Sequence, residues 1–247
     1  MNLDLVRQFE KIENTGVVLA GYTSGLCGEW TEERFGHLAE ELKVDSAMMI
    51  MANQHHTDLV KIVGLQEAGE GVIKPQPEEY FDAMITAQKG IMLCVHTADC
   101  VPIVFLDPVK EVVAIAHSGW VGCSKGIAGK TVRRMAEEYQ CRPVDIICGI
   151  GPYNRSCCYE VGEDVLEHFR ESFSDRECGV MFKKKNQPGK YMLDLGNAIS
   201  LSLCREGVKW ENIYEEGWCT YHTTQFSSWR RTGDRKKQIA TYIMLRL

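Results

Sequence analysis

"VHTADCVPIVF", Val95 to Phe105, is the stretch on which the reading of this chain turns. Its second half has the composition of a buried strand and runs into Leu106-Asp107-Pro108, yet its first half carries a His, an Asp and a Cys. Residues two apart on a strand share a face, so His96 and Cys100 would point one way and Asp99 the other, unless the chain turns between them. Three readings compete for such a set: metal ligands, a Cys–His nucleophile, or polar groups satisfied locally in the core.

Apolar, strand-like runs extend on both sides of this stretch, over 16–24, 47–54, 59–63, 83–88, 90–98, 101–107, 112–119 and 144–151. Near-continuous runs of this kind suit strands covered on both faces. Helical spacing is found at Phe35, Leu38 and Leu42 behind a cap at Thr31, and at Ala128, Val132, Met135 and Tyr139. It recurs at Val165, Phe169 and Phe173, and at Leu195, Ile199 and Leu203 behind a cap at Asp194. Strands cluster in the middle with helices between and after them, which predicts α/β or α+β architecture with mixed sheets. No repeat, low-complexity segment or Pro/Gly/Ser linker divides the chain, so a single domain over residues 1–247 is expected.

With 247 residues, 45% of them apolar, the chain can build a substantial core. A formal net charge of −6 argues against a general nucleic-acid binder, which needs a basic face, but leaves room for a small anion held by a few local cations. No apolar run approaches the roughly 18 residues of a membrane span, and the opening "MNLDLVRQFEKIENTG" lacks the apolar centre of a signal peptide. Eleven cysteines, an odd number, read as reduced thiols of a cytoplasmic protein. No Cys-x-x-Cys pair occurs, which excludes zinc fingers and thioredoxin-type motifs; the vicinal Cys157-Cys158 reads as packing.

Three strand ends carry the unusual polar residues: "NQHHTDLV" with His55 and His56, "HTADC" with His96, Asp99 and Cys100, and "AIAHSGWVG" with His117. Imidazole plus thiolate suits Zn²⁺ with an open position, and a His₂Cys set also suits copper. In "HSGWVGCSKGIAGKTV", Gly119, Gly122 and Gly126 lie between a strand and a helix, with Lys125 adding charge, a pattern compatible with an anion or with a plain tight turn. "FSSWRRTGDRKKQ" places five cations in the eight positions 230–237; Arg230 and Arg231 are phosphate or carboxylate candidates, whereas Arg235 to Lys237 read as a solvated basic turn.

In order along the chain, "QHHTDLV", "TADCVP", "AHSGWVG", "GIGPYNRSCCYEVG", "LDL" (193–195) and "CT…FSSWRRTGDR" (219–235) resemble the motifs of bacterial proteins once described as laccase-domain or polyphenol-oxidase proteins. The better-supported activity of that family is on purine nucleosides. The resemblance implies a single α/β domain with mixed β-sheets sandwiched between helical layers. It implies zinc ligands at His56, Cys100 and His117, with copper the alternative metal. Asp99 and Cys100 then form the catalytic neighbourhood, Asp99 positioning the Cys100 loop or a substrate group, while His55 and His96 are structural.

The activity implied is phosphorolysis of adenosine, inosine and methylthioadenosine to base and ribose 1-phosphate, together with adenosine deamination, for which a zinc-activated water has a clear physical basis. Partners are therefore purine nucleosides and phosphate, with no nucleic acid and no membrane; Arg230, Arg231 and Lys125 are the phosphate candidates. Thr57 stands where the family has Gly, Val121 where it has Arg, and "GYTSGLCG" (21–28) lacks an Arg common there. Rival readings are a copper-dependent phenol oxidase and a Cys hydrolase or peptidoglycan editing factor. A multicopper laccase relies on His-x-His pairs, and none occurs among the seven His of this chain.

Overall fold

The computed structural model describes residues 6–24 and 28–247. "MNLDLVRQFEKIENTG" and "GYTSGLCG" therefore fall partly outside the described residues. Two mixed sheets stack face to face. The first contains β1 (Val6–Gln8), β2 (Val18–Thr23), β3 (Met49–Met51), β6 (Met92–Thr97) and β14 (Ile239–Leu245), in the order β1-β2-β14-β6-β3. The second contains β4 (Val60–Ile62), β5 (Ala83–Thr86), β7 (Val101–Asp107), β8 (Val112–Ser118), β9 (Ile147–Ile150) and β13 (Ile213–Glu215), in the order β13-β9-β7-β8-β5-β4. A small third sheet joins β10 (Glu160–Gly162), β11 (Phe182–Lys184) and β12 (Lys190–Leu193). The helices are α1 (Glu10–Glu13), α2 (Glu32–Leu42), α3 (Trp120–Ser124), α4 (Ile127–Tyr139), α5 (Glu163–Arg170), α6 (Asp175–Met181), α7 (Leu195–Arg205) and α8 (Trp229–Thr232).

Two-residue periodicity sorts the strand side chains into three cores. On β7, Val104 and Leu106 face the space between the sheets, and Val101, Ile103 and Phe105 face the helices α3 to α7. On β14, Ile239, Ile243 and Leu245 point between the sheets, while Ala240, Tyr242 and Met244 point toward α2. Both faces of the central strands are thus covered, which is why their sequences read as unbroken apolar runs. The helix α2 is capped by Thr31, whose hydroxyl accepts from the Arg34 N–H, and buries Phe35 and Leu38 against the first sheet. Each such side chain contributes about 1.5–3 kcal/mol by leaving water. The cap at Asp194 accepts from the Asn197 N–H at 3.0 Å and starts α7. The layered mixed α/β architecture expected from the sequence is the one observed.

Val95–Phe105 spans two strands, matching the separate runs 90–98 and 101–107, and the chain turns between them. β6 ends at Thr97 in the first sheet and β7 begins at Val101 in the second. Residues 98–100 make the corner between them, with Asp99 in the left-handed region at φ 93°. That corner turns the chain from the first sheet into the second and leaves Cys100 immediately before β7, beside the end of β8.

Candidate active site and metal centre

Strand register assembles the site. β5 and β8 are antiparallel with Ala83 opposite Ala116, so Asp82 and His117 are cross-strand neighbours at the strand ends. Both share the parity of Met84 and Ile115 and point into the space between the sheets. Their backbones meet as the His117 N–H donates to the Asp82 carbonyl at 2.7 Å. β7 pairs with β8 so that Val101 faces Ser118, which brings the preceding Cys100 beside Gly119. A Cβ on Gly119 would lie 2.6 Å from His56 Cδ2 and 3.2 Å from Cys100 Sγ, so only glycine leaves room here.

His56, Cys100 and His117 offer ligand atoms that all lie within 4.8 Å of one another. His56 Nε2 is 3.7 Å from Cys100 Sγ, and the two imidazole rings cross at 74° with centroids 4.9 Å apart. Donor atoms around a tetrahedral zinc lie roughly 3.3–3.8 Å apart, given Zn–N near 2.0 Å and Zn–S near 2.3 Å. The donor set and its spacing therefore fit zinc.

Asp82, fully buried, organises two of the three. Its Oδ1 accepts from His117 Nδ1 at 2.6 Å and from the His56 N–H at 3.1 Å. Its Oδ2 accepts from the His55 N–H at 3.1 Å, the Thr57 N–H at 2.6 Å and the Thr57 hydroxyl at 2.7 Å. The 55–57 loop thus wraps a buried carboxylate, and His56 adopts φ 57° to do so. Thr57 adds its hydroxyl to that cradle. Burial opposes ionisation of Asp82, but the His117 hydrogen bond and charge, with Thr57, outweigh it and hold the carboxyl at about 2. Burial would likewise depress His117, but the Cys100 thiolate and Asp82 raise it to about 9. Against its own burial, Cys100 is lowered to about 6 by His117 and then His56. Asp82 was not among the residues singled out from sequence; its signal is a lone carboxylate inside the apolar run "YFDAMIT".

The remaining expected residues divide. Asp99 is buried and spends both carboxylate oxygens on structure: Oδ1 accepts from the Thr220 hydroxyl and Oδ2 from the Arg230 N–H, each at 2.6 Å. It ties the Cys100 corner to α8. Arg230 stacks 5.0 Å over Tyr159 and donates to the Glu160 carbonyl at 3.0 Å. Arg231 directs its guanidinium to the carbonyls of Thr220, Tyr221 and Phe226. Lys125 is exposed at the end of α3. His55 stacks on Tyr80 with centroids 3.7 Å apart, outside the cluster. His96 is stacked on Trp30 and Phe35, and burial, aided by the charge of His117, lowers it to about 3.

A cavity of about 530 Å³ opens over the three ligand-type residues. Trp120, Tyr159 and Trp229 contribute aromatic surface, and Arg230 and Arg235 contribute positive charge. Arg235, read from sequence as part of a solvated turn, is exposed and also sits 5.7 Å over the Trp229 ring at the cavity. Arg231 and Lys125 are not among the cavity-lining residues. Cys157 and Cys158 are also not core packing: Cys157 is exposed, and both approach His222. No helix among the described residues is long and apolar enough to cross a membrane.

Residues 28–246 match the family described as multi-copper polyphenol oxidoreductase laccase. A purine nucleoside phosphorylase of Aquifex aeolicus is 32% identical over 192 residues, covering 78% of this chain and 81% of that protein. The adenosine deaminase RL5, from an unknown prokaryotic organism, is 34% identical over 203 residues, covering 79% and 74%. Among solved structures, the hypothetical protein YfiH of Bacillus licheniformis superposes with a TM-score of 0.90 at 26% identity, covering 99% of this chain and 98% of that one.

Proposed function

Since this chain belongs to the multi-copper polyphenol oxidoreductase laccase family, and since relatives in purine metabolism align along most of it, we propose that residues 1–247 form one domain acting as a zinc-dependent purine nucleoside enzyme. It phosphorolyses adenosine, inosine and methylthioadenosine and deaminates adenosine. The observation that carries the reading is that the ligand atoms of His56, Cys100 and His117 lie within 4.8 Å of one another in the lining of an aromatic, cationic cavity. These three residues hold the metal. When bound, zinc supplies Lewis acidity, which makes a hydroxide nucleophile available near neutral pH.

The chain's own groups do the rest. Asp82 accepts the Nδ1 proton of His117, which fixes the tautomer and leaves Nε2 free to face Cys100 and the metal. Trp120, Tyr159 and Trp229 supply flat apolar surface for a purine. Arg230, whose five N–H donors include only one committed to the Glu160 carbonyl, is the phosphate group of choice, with Arg235 beside it. Arg231 and Lys125 are assigned outside the phosphate site. Asp99 acts as a positioning residue, because both its oxygens already accept hydrogen bonds.

One observation favours a second reading. Cys100 Sγ lies 3.7 Å from His56 Nε2, a juxtaposition of thiol and imidazole that a cysteine nucleophile also requires. Turnover of inosine under anaerobic conditions, with and without phosphate, separates the classes. Hypoxanthine release that requires phosphate but not oxygen is expected. Base release or oxidation that ignores phosphate, or activity that survives chelation, overturns the proposal.

A further inference from the structure

A second cluster of soft ligands lies outside the cavity. Cys157, Cys158, Cys219 and His222 offer four ligand atoms, all within 4.8 Å of one another. His222 Nδ1 is 3.7 Å from Cys157 Sγ, and Nε2 is 3.1 Å from Cys158 Sγ. Cys157 also contacts Cys158 and Cys219 through its sulfur. Three thiols and an imidazole are drawn here from two segments that share no regular secondary structure beyond one bridge, Tyr153 to Cys219. We propose that Cys157, Cys158, Cys219 and one ring nitrogen of His222 bind a Zn²⁺ that is structural, distinct from the metal of the cavity.

Several features support this assignment. Four protein ligands of Cys₃His type close a tetrahedral site and leave no open position, the pattern of structural rather than catalytic zinc. Cys219-Thr220-Tyr221-His222 is a tight Cys-x-x-His turn, closed by the Thr223 N–H donating to the Cys219 carbonyl at 2.9 Å. The backbone N–H groups of His222, Arg155 and Tyr221 are directed at the Cys219 sulfur. Such N–H groups stabilise a thiolate, the ligating form. Binding releases the three thiol protons to solvent and leaves a net charge of −1 on the metal and its ligands.

The site has a mechanical consequence. Each of the two segments it joins holds the cavity wall: the Asn154 N–H donates to the Asp99 carbonyl at 3.0 Å, and the Thr220 hydroxyl donates to the Asp99 carboxylate at 2.6 Å. Tyr159, next to Cys158, carries the stacked Arg230. A zinc at this point clamps together both supports of the Cys100 corner.

The test is metal analysis of the full chain purified under reducing conditions and reconstituted with Zn²⁺. Wild type should hold two zinc ions per chain. Cys219→Ser and His222→Gln should each hold one, and His56→Ala should hold the other one. His222 is exposed, so His222→Gln retains the fold even where a cysteine substitution does not. In the His56→Ala protein, a chelator should lower the melting temperature and open Cys157 to iodoacetamide. Wild-type zinc content in both Cys219→Ser and His222→Gln overturns the proposal. So does a native disulfide joining Cys219 to Cys157 or Cys158. Loss of zinc in His56→Ala alone would leave the cavity assignment standing and reject this one.

Discussion

Asp82→Asn tests the fully buried carboxylate that holds His117 and the 55–57 loop. The substitution preserves shape but removes a charge and replaces one acceptor oxygen with a donor. If the new amide N–H₂ faces the loop, it opposes the His55 and Thr57 N–H groups that now donate at 3.1 and 2.6 Å. If it faces His117, it opposes the Nδ1–H that now donates at 2.6 Å, and the imidazole switches tautomer so that Nε2 becomes protonated and cannot ligate. Hydrogen bonds to a charged acceptor contribute about 1.5–3 kcal/mol each, and one or two are lost in either orientation, so a loss of about 1.5–6 kcal/mol in stability follows for the metal-free protein. Loss of a group that orients a ligating His costs about 10–100-fold in metal affinity. Zinc affinity measured by competition against a chromophoric chelator, with urea unfolding alongside, reads both effects. Unchanged affinity together with an unchanged unfolding midpoint would refute the reasoning.

Gly119→Ala should lower zinc affinity and turnover more than about tenfold while the protein remains folded, since the added Cβ meets His56 and Cys100 rather than core backbone; chelator competition and circular dichroism check this. Arg230→Lys should raise the apparent phosphate KM, because a fork is replaced by a point charge. Arg231→Lys should instead lower the melting temperature and leave phosphate dependence alone, as its three carbonyl contacts are structural; phosphate saturation curves of the two variants distinguish them. Glu177 is held down to about 2 by Ser174 and Arg205. A depressed acid favours the fold above its unfolded pKa of about 4.3 and loses that contribution as pH falls toward the folded value. Glu177→Gln should therefore flatten the stability profile between roughly pH 4 and 2, measured by thermal melts.

The strands were legible because coverage on both faces makes their composition distinctive: all eight apolar runs contain strands of the two large sheets. β14 carries the same signature in "IATYIML", but the basic 230–237 segment directly before it masks the apolar run. The third sheet was not legible, since β10, β11 and β12 are short and only partly buried. Within the site, residue types pointed to His56, Cys100 and His117, but their meeting depends on register and on the corner at 98–100. Spacing along the chain carries neither. Asp82 was hidden for the same reason, because its partner is a cross-strand neighbour 35 residues away. Absence of Cys-x-x-Cys concealed the Cys157, Cys158, Cys219 and His222 cluster, whose halves are joined only by the folded chain.

The most direct test of the central claim compares His56→Ala with His96→Ala. Both residues line the cavity, but only His56 has its ligand atom in the cluster with Cys100 and His117. Zinc content and phosphate-dependent inosine turnover should fall together in His56→Ala and stay near wild type in His96→Ala. Equal loss of zinc in the two variants, or full turnover in His56→Ala without that zinc, would contradict the account.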